Sequence, residues 1–496
     1  MKRMAFMLII IGFFLYNVTS IDSSAQEDRQ LEEEIIYNIV VDRFNNGDFE
    51  RNEQVRIDDP YAYHGGDLQG IINRLDDIQE LGVTTISLSP IMENALDGYH
   101  GYWIEDFYSV EEQFGEMEDF HELIDEAHKR DMKVVMEFVT NYVGSSHSIV
   151  DDPEREDWIQ EGNDVTADWA DNVAVLNQDN PEVEAFLMDV ARFWMEETDI
   201  DGFELHAVDQ SSFSFLESFT AQIKEIDENF YLLGDILDTD QASEQLKEIT
   251  EIDMIENQDL FESMTEVFAE EGNPVSAIYE TWEESGSYSD LLYVDSKDTK
   301  RFSQMFAENG RNDLTTWSLA LTYMYTTPGV PVIFQGSEMP MYGTDTAEVQ
   351  QLVQFNAGSD ELNEFHSRIS SLRTQFPALK YGDFEQVGTS GAMSVFKRTY
   401  EDEEIYIAIN NDTVLQAVSV SDIESGTRLR GHLGDNIVLE EDNGEHKIGL
   451  DRETAEVFVV ETDTGLNWMF IGFIGVVFLL FIGGVIYLTR KQKRSE

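Results

Sequence analysis

The feature that most constrains this chain is a rhythm, a helical face followed by a short apolar strand, repeated from about residue 33 to 340. Ile71, Leu75 and Ile78 recur at helical spacing, Gly82 closes the segment, and "VTTISLSP" follows. Phe120, Leu123, Ile124 and Ala127 mark the next face, before "MKVVMEFVTN". Val183, Leu187, Val190, Ala191 and Trp194 mark another, before "IDGFELHAV". A helical period giving way to strand, again and again, describes βα units, because parallel strands need a long crossover between them. Eight such units closing on themselves suit roughly 300 residues, which predicts an α/β fold, the (β/α)8 TIM barrel, over 33–376. Residues 143–177 interrupt the rhythm after the third strand with an acidic, strand-poor insertion. From 377 to 461 the pattern changes to short alternating strands, "AMSVFKRTY", "EIYIAINN", "AVSVSD" and "AEVFVVE". That predicts a C-terminal all-β sandwich.

Both ends carry membrane signals. "MKRMAFMLIIIGFFLYNVTSIDSSAQ" has Lys2 and Arg3, an apolar run, and small residues ending at Ala25, the pattern of a secretory leader over 1–25. Near the other end, Trp468 to Leu488 form an apolar run of about 21 residues, enough for a transmembrane helix. Trp468 and Tyr487 stand at its edges, and a basic tail over 489–496, with Arg490, Lys491, Lys493 and Arg494, follows. Positive charge marks the cytoplasmic side, so a single-pass protein of the cell membrane is expected, its large ectodomain extracellular and its tail cytoplasmic.

Charge narrows the partners. The chain of 496 residues has 31 basic and 100 acidic residues, a net −69. Such a surface repels nucleic acid, which is excluded as a partner. Acidity spread along the whole chain also suits high salt, where self-repulsion is screened, so a halophilic setting is expected. There is no cysteine, hence no disulfide, thiolate metal site or lipidated N-terminal cysteine.

Six segments, in order, carry a family resemblance: "IIYNIVVDRFNNGD", "HGGDLQGIINRLDDIQELGVTTISLSPI", "GYHGYWIEDFYSVEEQFG", "DIDGFELHAV", "NFYLLGDI" and "TTPGVPVIFQGSE". Over nearly the whole ectodomain the chain resembles the α-amylase family, glycoside hydrolase family 13. The resemblance implies retaining chemistry with three carboxylates at the barrel mouth. One is a nucleophile on the fourth strand, one an acid/base on the fifth, and one stabilises the transition state after the seventh. Nucleophile and acid/base must stand about 5–5.5 Å apart across the glycosidic bond.

Carried over residue by residue, the family's Gly-Phe-Arg-Leu-Asp-Ala-Val becomes Gly202-Phe203-Glu204-Leu205-His206-Ala207-Val208. His206 therefore stands at the nucleophile position, and Glu204 replaces the orienting arginine. The fifth-strand Gly-Glu becomes Gly234-Asp235, with Asp235 at the acid/base position. Matching the family's Asp-Asn-His-Asp to Glu308-Asn309-Gly310-Arg311 puts Arg311 at the stabiliser position and Asn309 among the substrate-binding residues. The third-strand motif keeps Asn141 but has Glu137 and Tyr142 where Asp and His are usual. On this reading two of the three catalytic carboxylates are missing. A cationic His206 and Arg311 would repel an oxocarbenium-like transition state. As substitutes, Asp209 is misplaced along the chain, whereas Asp313 in a loop stays open.

The resemblance further implies sugar contacts from His100, Tyr102 and Trp103, which match the family's Tyr-His-Gly-Tyr-Trp. Aromatic rings suit pyranose faces, and the alternative is that they simply pack the mouth. "NNGDFERN" with "HGGD" resembles an N-terminal calcium loop, with Asn46, Asp48, Asn52, the Gly65 carbonyl and Asp67 as oxygen ligands for Ca2+. The family's more general calcium site keeps Asn141 but has Val175 and Gln210 where donors are usual, and is expected to be lost.

Three functions stay open. The main expectation is an extracellular, membrane-anchored α-amylase-like protein without family-type hydrolysis, which binds an α-glucan, such as a maltooligosaccharide, or another envelope protein. The alternatives are an active α-glucan hydrolase or transglycosylase with a rearranged site, and a purely structural envelope scaffold.

Overall fold

The computed structural model describes residues 29–163, 165, 167, 169–237, 242–285, 290–463 and 468–492; the leader expected over 1–25 lies outside the described residues. Eight parallel strands make the first layer. They are β1 (Ile36–Ile39), β2 (Thr85–Leu88), β3 (Lys133–Phe138), β4 (Gly202–Leu205), β5 (Tyr231–Gly234), β6 (Met254–Ile255), β7 (Leu291–Leu292) and β8 (Val330–Phe334). Their order is β6-β5-β4-β3-β2-β1-β8-β7, and a parallel bridge between Glu256 and Leu291 closes the ring. The expected barrel is formed. Strand side chains alternate between two buried clusters. Ile36, Val135, Leu233, Met254 and Val332 belong to one, while Tyr37, Val134, Phe203 and Ile333 join the larger cluster shared with the helices.

The helices bury the faces their spacing predicts. Helix α1 (Met117–His128) covers Phe120, Leu123, Ile124 and Ala127. Helix α2 (Pro181–Glu197) starts with Asn180 capping the Glu182 N–H and with proline in its first turn, and it buries Val183, Leu187, Val190, Ala191 and Trp194. Each large side chain so buried stabilises by about 1.5–3 kcal/mol, so these faces, more than helix propensity, hold the outer ring on the strands. Gly82 turns from helix to strand at φ +85°, and a Cβ there would lie 2.0 Å from the Ser370 hydroxyl oxygen. No other residue fits that turn without moving its neighbour.

The C-terminal domain is the expected β-sandwich. It contains β9 (Asp383–Ser390), β10 (Met393–Tyr400), β11 (Glu403–Asn410), β12 (Gln416–Val420), β13 (Thr427–Gly431), β14 (Ile437–Leu439), β15 (His446–Leu450) and β16 (Thr454–Thr462). One sheet runs β9-β10-β11-β16-β13-β14, and β12 pairs with β15 alongside it. Helix α3 (Asp313–Thr326) packs against β11 and β16 and joins the two domains.

Beyond the sandwich, helix α4 (Trp468–Gln492) has 25 residues, and Leu479, Leu480 and Phe481 on it are exposed. Counting only residues whose side chains are described, 472–487 in this helix, no helix is long and apolar enough to cross a membrane.

Candidate active site

The mouth of the barrel is built where the strands end. Strand β4 stops at Leu205, three residues before the alternation of "GFELHAV" ends at Val208. The His206 N–H donates to the Phe138 carbonyl at 3.1 Å, and Ala207 takes a left-handed φ of +48°. That bend turns the imidazole into the mouth. Its Nδ1 lies 2.9 Å from Glu137 and 3.1 Å from Asp235. Lys297, brought in by the loop after β7, sets its Nζ 3.1 Å from each of the same two carboxylates. Two cations and two anions thus alternate around a ring. The Asp235 carboxylate also accepts from the Ala207 N–H, and Glu204 accepts from the Ser87 hydroxyl.

Electrostatics follows from burial and this pairing. Burial alone would lower the His206 imidazole, but Asp235 and Glu137 raise it to about 10, so it is an imidazolium at neutral pH. Burial alone would raise the Asp235 carboxyl, but His206 and Lys297 hold it well below the usual carboxylate range. Glu204 is pushed up to about 7 by burial, with Glu137 and Asp235 adding to the shift and Lys297 opposing it. Burial pushes Glu256 up as well, with Asp235 and Glu204 adding to the shift and Lys297 opposing it. A cavity of about 140 Å³ is lined by Glu137, Glu204, Asp235, Glu256, Lys297 and Asp298.

Two expectations are corrected here. Arg311 is not in the mouth. It follows a helix on the outside of the barrel and donates to the Phe268 carbonyl (2.6 Å), to Asn411 (2.8 Å) and to Glu453 (3.0 Å), fastening the barrel to the sandwich. Asn309 beside it donates to the Ala269 carbonyl and faces no sugar site. Separated from β7 by two residues, Asp295-Ser296-Lys297-Asp298 fits Asp-Asn-His-Asp with both aspartates kept. Asp298 lines the cavity with its side chain 37 % exposed, so the stabiliser position holds a carboxylate. The sequence signal was an acid next to an apolar strand, "LLYVDSKD". Asp209, misplaced along the chain, accepts from the Leu237 N–H, and Asp313, left open as a substitute acid beside Arg311, starts helix α3 and accepts from the Tyr342 hydroxyl.

The expected sugar contacts are packed against protein. Tyr102 is 2 % exposed, donates to Glu137 at 2.9 Å, and stacks on His206 with ring centres 4.4 Å apart. His100 stacks on Tyr102 at 5.2 Å, and Trp103 donates its indole N–H to the Trp169 carbonyl at 2.8 Å. Sequence reasoning passed over Lys297 and Trp169, which sit in a loop and in the insertion.

Two places gather possible cation ligands. Glu137, His206 and Asp235 bring potential ligand atoms within 4.8 Å of one another, but Lys297 and the imidazolium already meet their charge from within the chain. In the N-terminal loop, Asn46 Nδ2 donates to Asn52 Oδ1 at 2.9 Å and Asn46 Oδ1 is buried without a partner. Gly65 abuts both asparagines, while Asp67 accepts from Gly47, Asp48 and Gly70, and Asp48 caps Glu50 and pairs with Arg51. An orphaned amide oxygen among oxygen donors fits calcium. Asn141, from the more general site, spends its oxygen on Gln178 and Ser211.

This barrel and sandwich, with an acid-rich mouth at the strand ends, define a glycoside-hydrolase-type protein. The α-amylase catalytic-domain family matches residues 38–172 and 158–376, and the α-amylase C-terminal-domain family matches 382–458; the chain belongs to the α-amylase family. It is 27 % identical over 460 residues to a β/α-amylase of Paenibacillus polymyxa, covering 85 % of this chain but 37 % of that one. It is 26 % identical to a cyclomaltodextrinase of Thermoanaerobacter pseudethanolicus, covering 79 % of this chain and 72 % of that one. An Anoxybacillus α-amylase structure superposes with a TM-score of 0.84 at 39 % identity, covering 88 % of this chain and all of that one. The structure of a Geobacillus thermoleovorans α-amylase with acarbose gives 0.82 at 36 %, with the same coverage.

Proposed function

We propose that the chain recognises α-glucans at its barrel mouth and does so without the retaining hydrolysis of its family. One observation carries this reading: His206 stands at the nucleophile position and is ion-paired to Asp235. A retaining mechanism needs a carboxylate there to form the glycosyl-enzyme bond. It also needs a protonated acid at Asp235, whereas His206 and Lys297 hold that carboxyl ionised. The imidazolium moreover places positive charge where an oxocarbenium-like transition state develops its own.

A second reading, an active α-glucan hydrolase with a rearranged site, has its own support. Asp298 stands at the stabiliser position, and Glu204, raised to about 7, shares a cavity with the ionised Asp235. Carboxyls whose environments push their pKa values apart are the usual signature of an acid and a base. The comparisons favour this reading, since the relatives are α-amylases and a cyclomaltodextrinase by name.

One assay separates the two: maltooligosaccharide binding and turnover measured together in molar salt. Binding without turnover supports the first reading. Turnover abolished by both Asp235→Asn and Glu204→Gln establishes the second, and neither binding nor turnover leaves a structural scaffold.

The setting proposed is the outer face of a membrane in a saline medium. The 25-residue backbone of α4, about 37 Å long, and its apolar sequence support an anchor. The net charge of −69 supports salt adaptation. Calcium, held by Asn46, Asp48, Asn52, Gly65 and Asp67, would tie the loop after β1 to the barrel and takes no part in the chemistry.

A further inference from the structure

The mouth contains a ring that belongs to the insertion and not to the barrel. Trp169 is buried, with its ring centre 4.5 Å from Tyr102, 5.7 Å from His206, 5.4 Å from Tyr142 and 6.1 Å from His100. The Tyr102 and Trp169 planes are tilted by 37° at this separation, a close ring-on-ring contact. An apolar indole here covers polar atoms that have nothing to bond. His206 Nε2 and His100 Nε2 are both buried without a hydrogen-bond partner.

The two imidazoles are specific about what they lack. His100 Nδ1 accepts from the Tyr102 N–H at 3.0 Å, so its proton is on Nε2. His206 Nδ1 faces two carboxylates, which leaves Nε2 on the side of the aromatic rings. Both orphans are therefore donors, and buried donors are almost always paired. The missing partner must bring acceptor oxygens on a flat body that stacks on tyrosine. A pyranose ring has both. The adjoining cavity, about 140 Å³, is smaller than the roughly 300–1,000 Å³ usual for a ligand pocket, as expected if the ligand's place is taken.

We propose that Trp169 occupies the place of a sugar ring against Tyr102, and that glucan binds only when the indole is displaced, which makes Trp169 the affinity-determining residue of the mouth. The inference rests on the glucan reading above. The Trp169 carbonyl is held by Trp103, so the side chain can swing while its backbone stays. Apparent affinity then falls by the fraction of molecules in which the indole blocks the site.

The test uses the full chain in detergent and molar salt, titrated calorimetrically with maltotriose and maltoheptaose. Trp169→Ala should bind at least tenfold more tightly than the unaltered protein. His100, protected from diethyl pyrocarbonate in the unaltered protein, should be modified in the variant. Should Trp169→Ala fold poorly by circular dichroism, Trp169→Leu keeps apolar volume without a flat ring and should show the same two changes. Binding that is unchanged or weaker in a folded variant overturns the inference and leaves the glucan reading standing. Binding by neither protein overturns the glucan reading and the inference together.

Discussion

His206→Gln is the sharpest probe of the mouth, because the substitution removes one charge and little volume. In the folded protein Nδ1 is held between Glu137 and Asp235 at 2.9 and 3.1 Å, with the side chain 1 % exposed. A rise from 6.5 to about 10 corresponds to about 5 kcal/mol of preference for the charged form. Deleting one member of a buried ion pair independently suggests about 3–5 kcal/mol. The pH dependence has a definite sign. A group whose folded pKa lies above its unfolded one contributes fully below the unfolded value, here 6.5, and loses that contribution as pH rises through about 10. Urea unfolding of the purified protein and of His206→Gln, in molar salt from pH 6 to 10, therefore has a predicted shape. The variant is less stable by several kcal/mol at pH 6, and the two curves converge toward pH 10. A difference constant across that range would refute the buried imidazolium and the part of the Asp235 shift that it causes.

Three other outcomes are expected. Arg311→Ala should lose about 2–3 kcal/mol in urea unfolding, because it strands Asn411 and Glu453, while leaving maltooligosaccharide binding by calorimetry unchanged. Removing calcium with EGTA should lower the melting temperature, since a ligand at a hundredfold excess over Kd adds about 2.7 kcal/mol; in Asn46→Ala the effect of EGTA should vanish. The melting temperature should rise from 0.1 to 2 M KCl, and a flat response would remove the case for salt adaptation.

The barrel was legible because its code is local. Phe120, Leu123, Ile124 and Ala127 recur at helical spacing within one element, and burial answers that spacing directly. The segment "MKVVMEFVTN" likewise yields the strand Lys133–Phe138. The catalytic positions were legible where a motif sits on a strand, as with His206 and Asp235. They were missed after β7, where a shared asparagine drew the comparison to Asn309. Arg311 lies thirteen residues beyond Asp298 in a chain whose short strand β7 gives little to anchor a register.

By itself the sequence determined the sequence of layers, the acidic surface, the apolar terminal segments and the absence of a carboxylate at position 206. Each is a property of residue type or short-range period. Only the closed barrel decided that Lys297 meets Glu137, 160 residues away, and Asp235, 62 away, and that Trp169 lies over Tyr102. Such meetings depend on which loop leaves which strand end and how far the ring closes. A charge or an indole in a loop carries no periodic mark of the partner it will bury against.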